Sequence, residues 1–246
     1  MSRHDFNAQR LCVDADLAES GTVECTPVQA NYLRNVLRLK EGDSVLVFNG
    51  RDGEWRARLA AGGRRGAALT VETRVRPQQG GPDIDYLFAP LKRARLDYMI
   101  EKATEMGVAR LRPVLTRRTN AERVNLERMR AHAIEAAEQC GILRLPEIFA
   151  PQKLDRAIAE WDAGRPLVFC DEDSEDSCPF TQLARIPPGP IAVLVGPEGG
   201  FDPEERELLA SRPFVTRISL GPRILRADTA AVAVLALANA VLGDWR

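Results

Sequence analysis

The sequence predicts an α/β chain, a parallel sheet with helices on both faces, preceded by a small β-barrel domain. Three observations carry this. From Tyr86 onward, short apolar segments alternate with amphipathic helical ones, the grammar of a parallel sheet covered on both sides. Residues 1–76 read instead as strands joined by glycine turns, with one helix among them. Between the two lies Pro77-Gln78-Gln79-Gly80-Gly81-Pro82, which has a proline at each end and no large apolar side chain. The expected organisation is a barrel domain over 1–76, a linker over 77–82 and an α/β domain over 83–246.

In the first domain a strand is expected over 10–13. Thr26-Pro27 offers an N-cap followed by proline at the first helical position, and the helix beyond should bury Leu33, Val36 and Leu37. A strand over 45–48 runs into the hairpin turn Asn49-Gly50. Apolar residues alternate with Arg56 and Arg58 over 55–59, and a glycine-rich turn over 62–66 leads to a third strand over 69–75. In the second domain strands are expected over 86–89, 111–115, 167–170, 191–195 and 215–220. Helices are expected over 96–106 (closed by Gly107), from the cap Asn125 to about 140, and over 154–161, 203–210 and 229–242.

Composition excludes several classes. At 45% hydrophobic and 28% charged, the chain is too apolar for disorder and too charged for a membrane protein. Its longest apolar run, 230–242, is broken by Asn239 and falls short of the roughly 20 residues of a span. Met1-Ser2-Arg3-His4-Asp5 has no apolar signal core, so a cytoplasmic location is expected. Five cysteines without a CxxC pair, and histidines only at 4 and 132, argue against a disulfide framework, a zinc site or a histidine triad; no metal is expected. With 34 Lys+Arg against 35 Asp+Glu, nucleic-acid binding requires local clustering. Residues 92–130 supply it: eleven Lys/Arg against five Asp/Glu, a local net of +6. Five acids within 171–176 would repel RNA, and a solvated loop is expected there.

Two stretches carry the chemistry. Val193-Leu194-Val195-Gly196-Pro197-Glu198-Gly199-Gly200-Phe201-Asp202-Pro203-Glu204-Glu205 reads as a buried strand, a glycine-rich turn and a helix capped by Asp202, with Glu205 as its capping-box partner. Loops at the carboxyl ends of parallel strands are where open sheets bind ligands. The acids of the first turn disfavour a phosphate there and suit a neutral or cationic ligand. The second stretch, from Leu220 to Ala230 (LGPRILRADTA), also joins strand to helix, with Asp228 or Thr229 as cap. Ile224 and Leu225 in so short a loop call for cover, by a nucleobase, an adenine ring or a neighbouring subunit. No GxGxxG follows a strand and no GxxxxGK[ST] exists, which argues against NAD dehydrogenases and P-loop ATPases.

GPEGG at 196–200, Leu220-Gly221 and RILRADTA at 223–230 resemble the signatures of the RsmE family, SPOUT-superfamily methyltransferases acting on N3 of a uridine in 16S rRNA. KRARLDYMIEKATEMGV at 92–108, EAAEQCGILRLP at 135–146 and YLRNVLR at 32–38 extend the resemblance over nearly the whole chain. It implies a PUA-like first domain, and a second domain with a C-terminal trefoil knot that forms the S-adenosyl-L-methionine site. The cofactor would be held by Leu194, Gly196, Pro197, Glu198, Gly199, Gly200, Leu220, Gly221, Arg223, Ile224, Leu225 and Arg226. Methyl transfer requires loss of the N3 proton, and a guanidinium favours the resulting anion. Arg226 is the first candidate, then Arg118 and Arg144. Glu198 is a candidate to accept the proton, to bind the cofactor or to order its own turn. RNA contacts are expected from Arg10, Arg34, Arg38, Lys92, Arg93, Arg117, Arg118 and Arg144, the partner being 16S rRNA or the assembled small subunit. A homodimer through the C-terminal domain is also expected, with Val234, Leu237 and Val241 as its patch. The competing readings are a SPOUT enzyme acting on tRNA and a non-catalytic RNA-binding protein.

Overall fold

A computed structural model describes residues 8–60, 66–120, 123–174 and 178–245. His4, residues 62–65 of the expected second turn, Glu175 and Asp176 lie outside them. The chain divides into two compact units, Met1–Gly80 with Ile134–Leu145, and Gly81–Ala133 with Pro146–Arg246. The segment 134–145 therefore departs from a boundary drawn along the chain. Ala137 and Leu143 pack with Phe48 in one buried cluster, and Glu138 accepts a hydrogen bond from the Cys12 amide at 2.8 Å.

The first unit contains β1 (Arg10–Cys12), β2 (Thr22–Glu24), α1 (Pro27–Asn31), β3 (Ser44–Phe48), β4 (Glu54–Ala60) and β5 (Ala68–Arg76). They form one sheet in the order β1-β3-β4-β5-β2, antiparallel except for β1 beside β3. Thr26 caps α1 in a capping box closed by Gln29. The helix then passes into a π turn over Tyr32–Val36, closed by Leu37 N–H donating to Tyr32 O at 2.9 Å. The wider turn rotates the face: Leu33 is buried, but Val36 is 60% exposed, contrary to the helical spacing. Arg56 and Arg58 point outward along β4 while Ala57 and Leu59 enter the core.

The second unit contains β6 (Ile84–Phe88), α2 (Arg93–Glu105), β7 (Arg110–Leu115), the first half of α3 (Leu126–Cys140), β8 (Glu147–Ile148), β9 (Gln152–Lys153), α4 (Leu154–Ala159), β10 (Leu167–Cys170), α5 (Pro179–Leu183), β11 (Ile191–Val195), α6 (Pro203–Ala210), β12 (Val215–Ile218) and α7 (Ala227–Val241). The sheet runs β12-β10-β11-β6-β7-β8, with β9 also on β7, and every pairing is parallel. Every residue of β6, β10 and β11 is buried, as a sheet covered on both faces requires. Alternate residues feed opposite cores: Tyr86, Val168 and Val193 pack with Ile100 of α2 and Val234 of α7, whereas Leu87, Phe169 and Leu194 pack with Ile158 of α4 and Leu209 of α6.

Helix α7 begins at Ala227, two residues before Thr229, with Arg226 rather than Asp228 or Thr229 at the N-cap position and no side-chain cap. Asn239, which interrupts its apolar run, is buried and donates to Met106 O at 2.8 Å and Leu235 O at 3.0 Å. Val234 is fully buried in the unit's own core, so it has no face to offer a partner; Leu237 and Val241 are partly buried against the same core.

Candidate active site

Because β6, β10, β11 and β12 are parallel, the segments leaving their carboxyl ends emerge at one edge of the sheet. Connections diverge between β6 and β11: β6 leads to β7 on one side, β11 to β12 on the other. Such a switch point leaves a crevice. A cavity of about 600 Å³ occupies it, walled by the turn after β11, the loop after β12, the end of β10 and Arg95 of α2. That volume suits a small molecule.

The turn after β11 is fixed from below and from the side. A Cβ at Gly196 would lie 2.4 Å from the ring of Phe201, which is buried edge-on against Phe169. Asp202 and Glu205 form the expected capping box on α6. Glu205 is buried and works twice: one oxygen accepts from the Asp202 amide at 3.0 Å, the other from the Arg117 amide at 2.8 Å. The Arg117 guanidinium pairs with Asp202 and Glu204, and Arg118 donates to Gly199 O at 2.8 Å. The Glu198 carboxylate pairs with Arg95. In the loop after β12, Leu225 packs partly against the core while Ile224 is 98% exposed. Arg223 and Arg226 are exposed and have no ion-pair partner among the described residues.

The acid run is not a solvated loop at its start. Asp171 is buried at the cavity wall, bridged by Arg206 at 2.5 Å and by Arg217 at 2.5 Å. Glu172 and Asp173 pair with the same Arg206. Beside them, burial and the neighbouring carboxylates Asp171 and Glu172 push the Cys170 thiol well above its ordinary range, which disfavours the thiolate.

Eleven of the twelve residues expected to hold a cofactor line this cavity; Leu194 does not, since β11 turns its side chain into the core against α4 and α6. Arg226 and Glu198 are on the wall, and Arg118 touches it through Gly199. Arg95, Asp171, Glu172 and Ser219 line it without having been singled out by the sequence. Among the expected RNA contacts, Arg10 is 4% exposed and bound to Glu54 at 2.9 Å in a buried cluster with Arg76, so it has no surface to offer. Arg144 is half-buried and has an interaction partner. Arg34, Arg38, Lys92 and Arg93 are exposed without an ion-pair partner among the described residues.

The basic stretch is likewise divided. Arg110 and Arg112 converge on buried Asp85, Lys102 pairs with Glu105, and Arg128 with Asp97. His132 lies between Glu101 at 2.7 Å and Asp97 at 3.3 Å.

Two family models match the chain, an RNA methyltransferase domain over residues 79–239 and an RNA methyltransferase PUA domain over 28–72. Among curated proteins, the ribosomal RNA small subunit methyltransferase E of Rickettsia conorii is 30% identical over 92% of this chain and 93% of its own length. That of a Synechocystis strain is 33% identical over 96% and 78%. A methyltransferase of Legionella pneumophila, solved with bound SAM, superposes with a TM-score of 0.85 at 26% identity, covering 97% of this chain and 99% of the other. The ribosomal RNA small subunit methyltransferase E of Neisseria gonorrhoeae shares the fold, with a TM-score of 0.87 at 23% identity over 98% and 100%. With its glycine-walled crevice at the end of a parallel sheet and a PUA unit before it, the chain belongs to the ribosomal RNA small subunit methyltransferase E family of RNA methyltransferases.

Proposed function

We propose that the protein methylates N3 of one uridine in 16S rRNA, using S-adenosyl-L-methionine held in the glycine-walled cavity. The observation that carries this is the convergence of the β10, β11 and β12 ends on a single cavity, in a chain of this family. The cavity fits the cofactor. Val195, Leu220, Leu225 and Ala230 offer an apolar wall to a purine, and the carboxylates Asp171, Glu172 and Glu198 balance the guanidiniums Arg95, Arg223 and Arg226 around it, a lining that admits a zwitterionic amino-acid tail beside a sulfonium. The cofactor supplies an electrophilic methyl group. The chain's own residues do the rest. The turns at 196–200 and 220–226 orient the reacting groups, which converts an encounter into a local step. Arg226, on the cavity wall without an ion-pair partner among the described residues, stabilises the uracil anion formed when N3 loses its proton, and Arg118, bound to Gly199 O, is the second candidate. Glu198 orders its turn through Arg95 and stands within the same wall as a proton acceptor.

The first unit, Met1–Gly80 with Ile134–Leu145, acts as the RNA-binding PUA-like body, and the second, Gly81–Ala133 with Pro146–Arg246, as the methyltransferase. Arg34, Arg38, Lys92, Arg93 and Arg118 provide phosphate contacts. No helix among the described residues is long and apolar enough to cross a membrane. The proposed substrate, ribosomal RNA, places the reaction in the cytoplasm. The working unit is a homodimer through the second unit, with exposed Ile224 in the contact.

The deciding experiment incubates purified protein and S-adenosylmethionine with small ribosomal subunits from cells lacking the activity, then maps methylated nucleotides by mass spectrometry. One new N3-methyluridine in 16S rRNA is expected, and its loss with Arg226→Ala. Methylation of tRNA, or none, would overturn the reading.

A further inference from the structure

We propose that a basic trough beside the cavity seats the RNA strand carrying the target base, and that Arg95 leaves Glu198 for a phosphate when that strand arrives. The inference rests on the function read above and names where its substrate lies. A hollow of about 900 Å³ is lined by Lys92, Arg93, Arg95, Asn120, Arg123 and Glu198. A second, of about 750 Å³, shares Arg93 and Arg123 with it and continues to Asn125 and Arg128. Arg95 and Glu198 also line the glycine-walled cavity. Trough and cavity therefore meet at this one ion pair.

The charge of the trough points to a polyanion. Among the described residues, the charged ones lining the larger hollow are four cations and one carboxylate. Lys92, Arg93 and Arg123 are exposed and have no ion-pair partner among the described residues. The first turn of α2, which carries Arg93 and Arg95, has no acidic residue. Among the described residues Glu198 is the one carboxylate of the larger hollow; the smaller adds Asp97, already paired with Arg128, and Glu127.

The pair itself is built to exchange. Its side chains are 40% and 43% exposed, a setting in which an ion pair is weak. Arg95 meets Glu198 through a single contact, Nη1 to Oε1, whereas a phosphate can take two parallel N–H donors from the same guanidinium. The exchange removes the clamp on Glu198 only while RNA is present, which ties the state of the cavity wall to the occupancy of the trough.

A fluorescent oligouridylate of twelve nucleotides serves as probe, titrated against the intact protein at several salt concentrations. Single-strand binding loses about 0.7 of a unit of log–log salt slope per phosphate contact removed, so Arg93→Ala/Arg123→Ala should flatten the slope by about 1.4 units. Arg185→Ala, at an exposed site outside the trough, should leave it unchanged. Glu198→Gln should tighten oligouridylate binding about twofold to fivefold by freeing Arg95, and by less when Arg95→Ala is also present. An unchanged slope in the double variant, with circular dichroism showing an intact fold, would overturn the trough. An equal effect of Glu198→Gln with and without Arg95 would overturn the exchange. None of these readouts depends on methylation or on cofactor, so failure of the functional reading would show separately, in the mapping experiment.

Discussion

Gly196 and Gly199 stand three residues apart in the same turn, yet they are glycine for different reasons. A Cβ at 196 runs into the buried ring of Phe201, whereas one at 199 meets only the flexible Arg118 side chain at 3.7 Å. Gly196→Ala should therefore cost about 1–3 kcal/mol of stability, as overpacking does. Gly199→Val should leave the thermal midpoint in place but abolish S-adenosylmethionine binding in a calorimetric titration, because the added bulk fills the cavity mouth; unchanged affinity would show that 199 is not part of the wall. In the first unit, Glu54 is decided by its partners. Burial pushes its carboxyl upward, but hydrogen bonds and charge from Arg76 and Arg10 outweigh this and hold it below the usual 4.5. A carboxyl lowered on folding contributes stability above its unfolded value, lost as pH falls through the folded one. Glu54→Gln leaves two buried guanidiniums facing a neutral amide, so it should destabilise by about 3 kcal/mol at pH 7. The gap to wild type should narrow below about pH 4, as denaturant unfolding at both pH values would show.

At the scale of elements, α6 ties both sides of the cavity together. Asp202→Ala should cost about 1 kcal/mol through the lost cap, and leave Arg117 held only by Glu204 and Glu205, so that limited proteolysis cuts within 116–120 faster than in the unaltered protein. Replacement of Glu205 by Gln tests the double role of that carboxylate: an amide has one acceptor oxygen where the structure uses two. The elements that the sequence made legible are those written locally. Thr26-Pro27 and Asp202-Pro203 announce their helices because cap, proline and capping-box partner all lie within four residues. The fully apolar strand 191–195 needs no context either. By contrast β2, β8 and β9 are two or three residues long and exist only through their neighbours, and the π turn that expels Val36 leaves no mark in the spacing. The site divides the same way. Both glycine loops were visible as motifs, but Asp171 and Arg95 join them only because the sheet order brings β10 and α2 beside β11.

For the whole molecule, the proposed dimer is the first quantity to measure. Ile224 is almost wholly exposed at the rim of the cavity, and no other large apolar side chain of that loop shares its exposure. Sedimentation at micromolar concentration should give a dimer, and Ile224→Glu should shift it toward monomer; a fully active monomer would show the association to be dispensable. The division of the chain has a different consequence, in the order of events during synthesis. Strands β1 to β5 leave the ribosome first, but the apolar cluster around Phe48 and the acceptor for the Cys12 amide are completed only by Ala137, Glu138 and Leu143. At about 5–20 residues per second, the gap from Gly80 to Ile134 is roughly 3–11 seconds of translation. Throughout that interval the nascent first unit has its sheet without its last wall, and a chain stopped at the linker would keep it that way permanently.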